Sequence, residues 1–171
     1  FGPVSKQKII ATAQLESDSR YDETREQRII TELSRVYREE GYYSASINIY
    51  NMVNLETGGI RLEINIDPGE PTLLDEVRLY GFPVLPEAEV MQLLTQSGPG
   101  KIFREDAFKN ELERVRKHYF DNGFLTAEVT LNNALYDAEK NVVYANLMIN
   151  AGPVVKTVFN PQTGEEKLWL E

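Results

Sequence analysis

His118 is the only imidazole in this 171-residue chain, so any Ser–His–Asp relay would have to run through it. It stands beside Tyr119 in a stretch that also carries Arg114, Arg116 and Lys117, a setting that suits a partly exposed structural residue better than a general base. The run SGPGKI, Ser97 to Ile102, has the Gly-Lys of a phosphate loop. The rest of that motif is missing: Thr95 stands where its leading glycine belongs, and Ile102 where its magnesium-binding hydroxyl belongs. The run reads instead as a turn between two helices. Cysteine is absent, which removes thiolate nucleophiles, thiolate metal sites and disulfides. The acidic residues show no calcium-loop spacing and no apolar setting that would raise a carboxyl pKa; Asp67 and Glu70 merely flank Pro68 and Gly69 in a turn. Tyr42, Tyr43 and Phe124 follow glycines and are expected to pack across a helix–strand corner, and Trp169 stands in the C-terminal tail. The groups capable of chemistry lack the company chemistry needs, so the expectation is no enzyme, no metal and no cofactor.

Charge narrows the partners. The chain carries 27 acidic against 18 basic residues, a formal charge of −9, with no cationic cluster to exchange for the counterions of nucleic acid or to sit on anionic lipid. The acidity reads as a solvated surface that resists aggregation. A hydrophobic content of 42% with 10% aromatics can fill packed cores. No apolar run is long enough to span a bilayer as a helix. The opening FGPVSKQKIIATAQ lacks the basic-then-apolar order of a secretory signal, as in a cytoplasmic protein or a mature piece cut from a longer one.

The elements that position these residues come twice. YREEGYYSASINIY (Tyr37 to Tyr50) recurs as YFDNGFLTAEVTLN (Tyr119 to Asn132), a domain-length interval away. Ile30, Leu33 and Tyr37 match Leu112, Val115 and Tyr119; each trio follows i, i+3, i+7 and lays an apolar stripe along one helical face. Asp22 is a candidate cap for the first helix. Gly41 and Gly123 stand where a helix end wants a left-handed residue. Beyond each glycine the period changes from 3.6 to 2. Ala45, Ile47 and Ile49 alternate with Ser44, Ser46 and Asn48; Ala127, Val129 and Leu131 alternate with Thr126, Glu128 and Thr130. These predict half-buried strands. Each is followed by a turn-rich link, NLETGG or YDAEKN, a second alternating strand, and a Pro-Gly close, the pattern of a hairpin.

Shorter helices are predicted before the long ones, roughly over 5–15 and 87–96, and a leading strand over Leu73 to Gly81. The expected fold class is therefore α+β: two tandem β-α-α-β-β modules, each a three-stranded mixed sheet covered on one face by two helices. Expected boundaries are 1–71, with its leading strand cut short, 72–153, and a remainder of 154–171 that starts a following module or forms a tail. PVVKTVF (Pro153 to Phe159) reads as a spare leading strand, which allows strand exchange between neighbouring chains.

The residues Leu33 to Ile49 and Leu112 to Leu131, the element order and the hairpin resemble the POTRA (polypeptide-transport-associated) domain, which occurs in tandem in BamA- and TamA-like outer-membrane assembly proteins. The likeness runs to about Phe159. It implies a location on the periplasmic side of the bacterial outer membrane, membrane attachment only through a C-terminal barrel, and partners that are unfolded outer-membrane proteins or periplasmic assembly proteins. The same fold also serves two-partner-secretion transporters and a cell-division protein, the alternative the resemblance leaves open. By the resemblance, the first strand of each hairpin is a sheet edge where extended segments add, over 44–51 and 126–133. The candidate partner-binding residues are Ser44, Ser46, Asn48 and Tyr50, with Thr126, Glu128, Thr130 and Asn132. An exposed edge offers unpaired N–H and C=O groups as a template for another strand.

Overall fold

The computed structural model describes residues 2–13, 23–53, 59–159 and 166–170. The chain divides into two compact units, Phe1–Thr72 and Leu73–Glu171. In the first, α1 (Lys6–Ala13) and α2 (Glu23–Glu39) precede an antiparallel hairpin of β1 (Ser46–Val53) and β2 (Ile60–Asp67). In the second, β3 (Leu73–Phe82), α3 (Glu87–Leu93), α4 (Glu105–Asp121), β4 (Glu128–Asp137) and β5 (Val142–Asn150) follow in the expected order. A final hairpin joins β6 (Val155–Phe159) to β7 (Glu166–Leu170).

The long helices form because their apolar residues share a face. Along α2, Ile29, Leu33, Val36 and Tyr37 are buried, while Arg35 on the opposite side pairs with Glu32 at 3.0 Å and with Glu39. Ile29 and Leu33 join Ala13 of α1 and Ile47 of β1 in one core, with Ile49, Ile64 and Ile66 packed against it. Along α4, Phe108, Leu112, Val115 and Tyr119 are buried in the same way, as are Val143, Ala145, Leu147 and Ile149 of β5. The Phe103 and Phe108 rings meet at 5.6 Å.

The glycines end both helices by the same device. Gly41 and Gly123 have φ of 88° and 91°. Gly41 N–H donates to the Arg38 carbonyl and Tyr42 N–H to the Tyr37 carbonyl, at 3.0 and 2.9 Å; Gly123 and Phe124 repeat this on Phe120 and Tyr119, both at 3.0 Å. This pair of bonds is the Schellman close, which a side chain at the left-handed position strains by about 1–2 kcal/mol. It explains why a charged helix stops at glycine and emerges as an alternating strand.

The second unit carries the expected three-stranded mixed sheet, order β3-β5-β4, with β3 parallel and β4 antiparallel to β5. In the first unit the described residues form the β1–β2 pair. The spare strand at the far end is β6, held against β7 with Lys156 opposite Trp169. Its first residue is tied back: Val155 N–H donates to the Gly123 carbonyl at 2.8 Å, as Thr72 N–H does to the Gly41 carbonyl at 2.8 Å. Asp22 as a helix cap and most of the NLETGG link lie outside the described residues.

Candidate functional site

Among the described residues, β1 has β2 on one side and no strand on the other, and β4 likewise has only β5. Each therefore presents an outer row of backbone donors and acceptors. α2 packs beside β1 and α4 beside β4, so each edge runs along the flank of the longer helix of its unit.

The eight sequence-predicted residues fall into three groups. Ser46, Asn48 and Tyr50 on β1, with Glu128 and Thr130 on β4, are exposed strand residues. They stand opposite Asp67, Asn65, Glu63, Asn150 and Met148 respectively. Ser44 and Thr126 are not in the strands at all; they precede them. Their side chains fill the space that a Cβ would need at Gly69 and Gly152, whose φ values are 65° and 67°. In each copy a hydroxyl residue thus seats the glycine turn, Pro68-Gly69 or Gly152-Pro153, that closes the hairpin. Asn132 is the third case. The β4–β5 ladder runs to Leu131↔Leu147 and resumes at Asn133↔Asn146, so Asn132 is the extra residue of a β-bulge.

The bulge reverses the side-chain parity. Val129 and Leu131 turn toward the core before it, Ala134 and Tyr136 after it. It also brings together a pair the sequence reading passed over: Asn146 Nδ2 donates to Asn133 Oδ1 at 2.5 Å, with Asn146 only 8% exposed. Two consecutive asparagines inside an alternating strand are the signal that points to this feature.

The side chains weighed for chemistry have structural partners. His118 Nε2 lies 2.5 Å from Glu89 Oε1, linking α4 to α3. The turn containing SGPGKI already holds an anion of its own: the Glu111 carboxylate accepts N–H bonds from Gln96 and Ser97 at 2.9 and 2.8 Å and the Thr95 hydroxyl at 3.2 Å. Glu111 is buried, and nothing in its local sequence marked it for this role. The Tyr43 ring takes the Arg38 guanidinium at 4.5 Å from its centroid, and Phe124 meets Tyr119 edge-on at 5.7 Å; Tyr42 packs on Val4, Val36 and Tyr37. Burial pushes the Tyr37 phenol up. It pushes the Tyr119 phenol up too, with the Leu85 backbone acting the other way; among the described residues the Tyr119 hydroxyl has no hydrogen bond of ordinary geometry. Arg78, hydrogen-bonded to Glu76 at 2.6 Å, holds that carboxyl below the usual range. Among the described residues no three His, Asp or Glu converge as metal ligands, and no helix is long and apolar enough to cross a membrane.

The two-fold pattern has relatives. A family model described as "POTRA: Surface antigen variable number repeat" matches residues 3–69 and, a second time, 73–152. A Treponema pallidum (strain Nichols) protein, provisionally named an outer membrane protein assembly factor, is 26% identical over 101 residues, which cover 57% of this chain and 12% of that protein. The chain thus spans a small fraction of the length of this curated relative. POTRA1-3 of the periplasmic domain of Omp85 from Anabaena aligns with a TM-score of 0.51 at 17% identity, over 89% of this chain and 57% of that one. The N-terminal domain of Omp85 from Thermosynechococcus elongatus gives 0.50 at 18% identity, over 86% and 57%. At such identities these two structures speak for the fold alone.

Proposed function

This chain belongs to the POTRA family, and on that premise we propose that it is the periplasmic POTRA segment of an outer-membrane protein assembly or insertion factor. Its module boundaries are set at 71/72 and 153/154. Its work is binding: extended segments of unfolded outer-membrane proteins, or of periplasmic assembly partners, add as strands at the outer margins of β1 and β4. The observation that carries this reading is the strand order, in which the first strand of each hairpin has a neighbour on one side only among the described residues. The relative named as an outer membrane protein assembly factor supports the wider setting.

The energetics suit a handler of many clients. A backbone hydrogen bond nets about 0.5–1.5 kcal/mol, so a short added strand gives modest affinity that depends little on side-chain identity. Release is then as ready as capture. The polar outward residues Ser46, Asn48, Glu128 and Thr130 limit permanent aggregation at these margins. Titration of the isotope-labelled chain with a peptide copied from an outer-membrane β-strand tests the proposal. Amide shifts confined to 44–51, to 126–133 or to both are expected; shifts confined to α1 or α3, or none at all, would remove it.

A further inference from the structure

Building on that edge reading, we infer that the two margins have divided the work: β1 receives the partner strand, and β4 is blunted by its bulge. The two copies differ in what their edges offer. β1 reads SINIYNMV, with no charge, proline or glycine, and pairs residue for residue from Ser46↔Asp67 to Val53↔Ile60 without a shift. Its outer side is therefore a regular eight-residue template. β4 reads EVTLNNALYD, with a carboxylate at each end, and its ladder breaks between Leu131 and Asn133. A bulge interrupts the even spacing of outward N–H and C=O groups and increases local twist, while terminal charges oppose burial against another chain. A partner strand in register with Glu128–Leu131 is out of register beyond it.

β2 is the other margin of the first hairpin, and it carries Arg61, Glu63 and Asp67. Its counterpart β5 has that side filled by the parallel strand β3, so it is the side the fold assigns to a leading strand. The free partner goes to β1.

The side chains of β1 indicate what fits. Tyr50 and Met52 are 55% and 53% exposed, while Ser46 and Asn48 are polar and exposed on the same face. The matching partner is an uncharged extended segment, alternating apolar and polar, whose apolar or aromatic side chains come beside Tyr50 and Met52.

The test uses the 171-residue chain and a synthetic peptide of alternating Val and Thr with one central Tyr and Lys-Lys at each end for solubility. A scrambled peptide of the same composition serves as control. Saturable amide shifts over 46–53, with 128–137 unmoved, are expected. Equal or stronger shifts over 128–137, or over 60–67, overturn the division of labour while leaving strand addition standing. The absence of shifts at every margin overturns both. Asn48→Lys with Tyr50→Lys should weaken binding about tenfold by placing charge on the receiving strand; unchanged affinity contradicts the inference. Deleting Asn132 joins the Leu131↔Leu147 pair directly to Asn133↔Asn146 and restores strict alternation. New shifts over 128–137 in that variant are expected, and a β4 that stays silent while folded contradicts the role given to the bulge. Should the deletion unfold the second unit, the double lysine variant still decides the assignment to β1.

Discussion

At the scale of single residues, the polar side chains near the helix ends serve the fold: His118 ties α4 to α3, and Glu111 closes the turn after α3. Glu111 is the clearest case. Its carboxylate accepts from the backbone N–H groups of Gln96 and Ser97, in the turn that follows α3. Replacing it with alanine strands buried donors, and we expect a loss of about 2–3 kcal/mol in denaturant unfolding, with Gln96 and Ser97 amides exchanging faster. Glu111→Gln keeps one acceptor oxygen and should lose less. The two buried phenols set an alkaline limit. Their pKa values are raised on folding, chiefly by burial, so the native state favours the neutral form. The stability they confer is complete below the unfolded value near 10 and is lost as pH rises through the higher folded value. Stability measured against pH should therefore fall above about pH 10. Tyr119→Phe, which also removes a hydroxyl lacking an ordinary hydrogen bond, should soften that fall without harming the protein at neutral pH.

At the scale of elements, the two helix-terminating glycines, Gly41 and Gly123, decide a great deal. Gly123→Ala would put a side chain on a left-handed backbone and bring its Cβ to 3.1 Å from the Val155 carbonyl oxygen. We expect a cost of about 1–2 kcal/mol with fraying at the end of α4, measurable as lost amide protection at Phe124 and Val155. These helix–glycine–strand joints were legible in the sequence because period, charge face and terminator all change at one residue, and all of them act locally. α1 and α3 fall where the sequence predicts them, and α3 ends at Leu93, short of the predicted 96, since short helices leave few turns from which to read a period. The candidate margins were legible as strands, while their fine structure was not. Ser44 and Thr126 continue the alternation in sequence yet sit ahead of β1 and β4, each filling the space over a distant glycine, a contact that spacing cannot reveal. Asn132 continues it too, and only the register against β5 exposes it as the extra residue of a bulge.

At the scale of the whole molecule, each unit encloses a core of its own, and this makes the response to mutation separable. Leu33 lies in the core of the first unit and Leu147 in that of the second, both fully buried. Truncation to alanine should cost about 2–5 kcal/mol in either case. In scanning calorimetry we expect two transitions, the lower from Phe1–Thr72, whose described sheet has two strands, and the upper from Leu73–Glu171, whose main sheet has three. Leu33→Ala should move only the first and Leu147→Ala only the second. A ligand that binds the folded form raises its stability by RT ln(1 + [L]/Kd), about 2.7 kcal/mol at a hundredfold excess over Kd. A strand peptide captured at β1 must then raise the lower transition and leave the upper one in place. A peptide that raised the upper transition alone would put capture at β4, and a single transition displaced by both alanine variants would mean that the two cores melt as one.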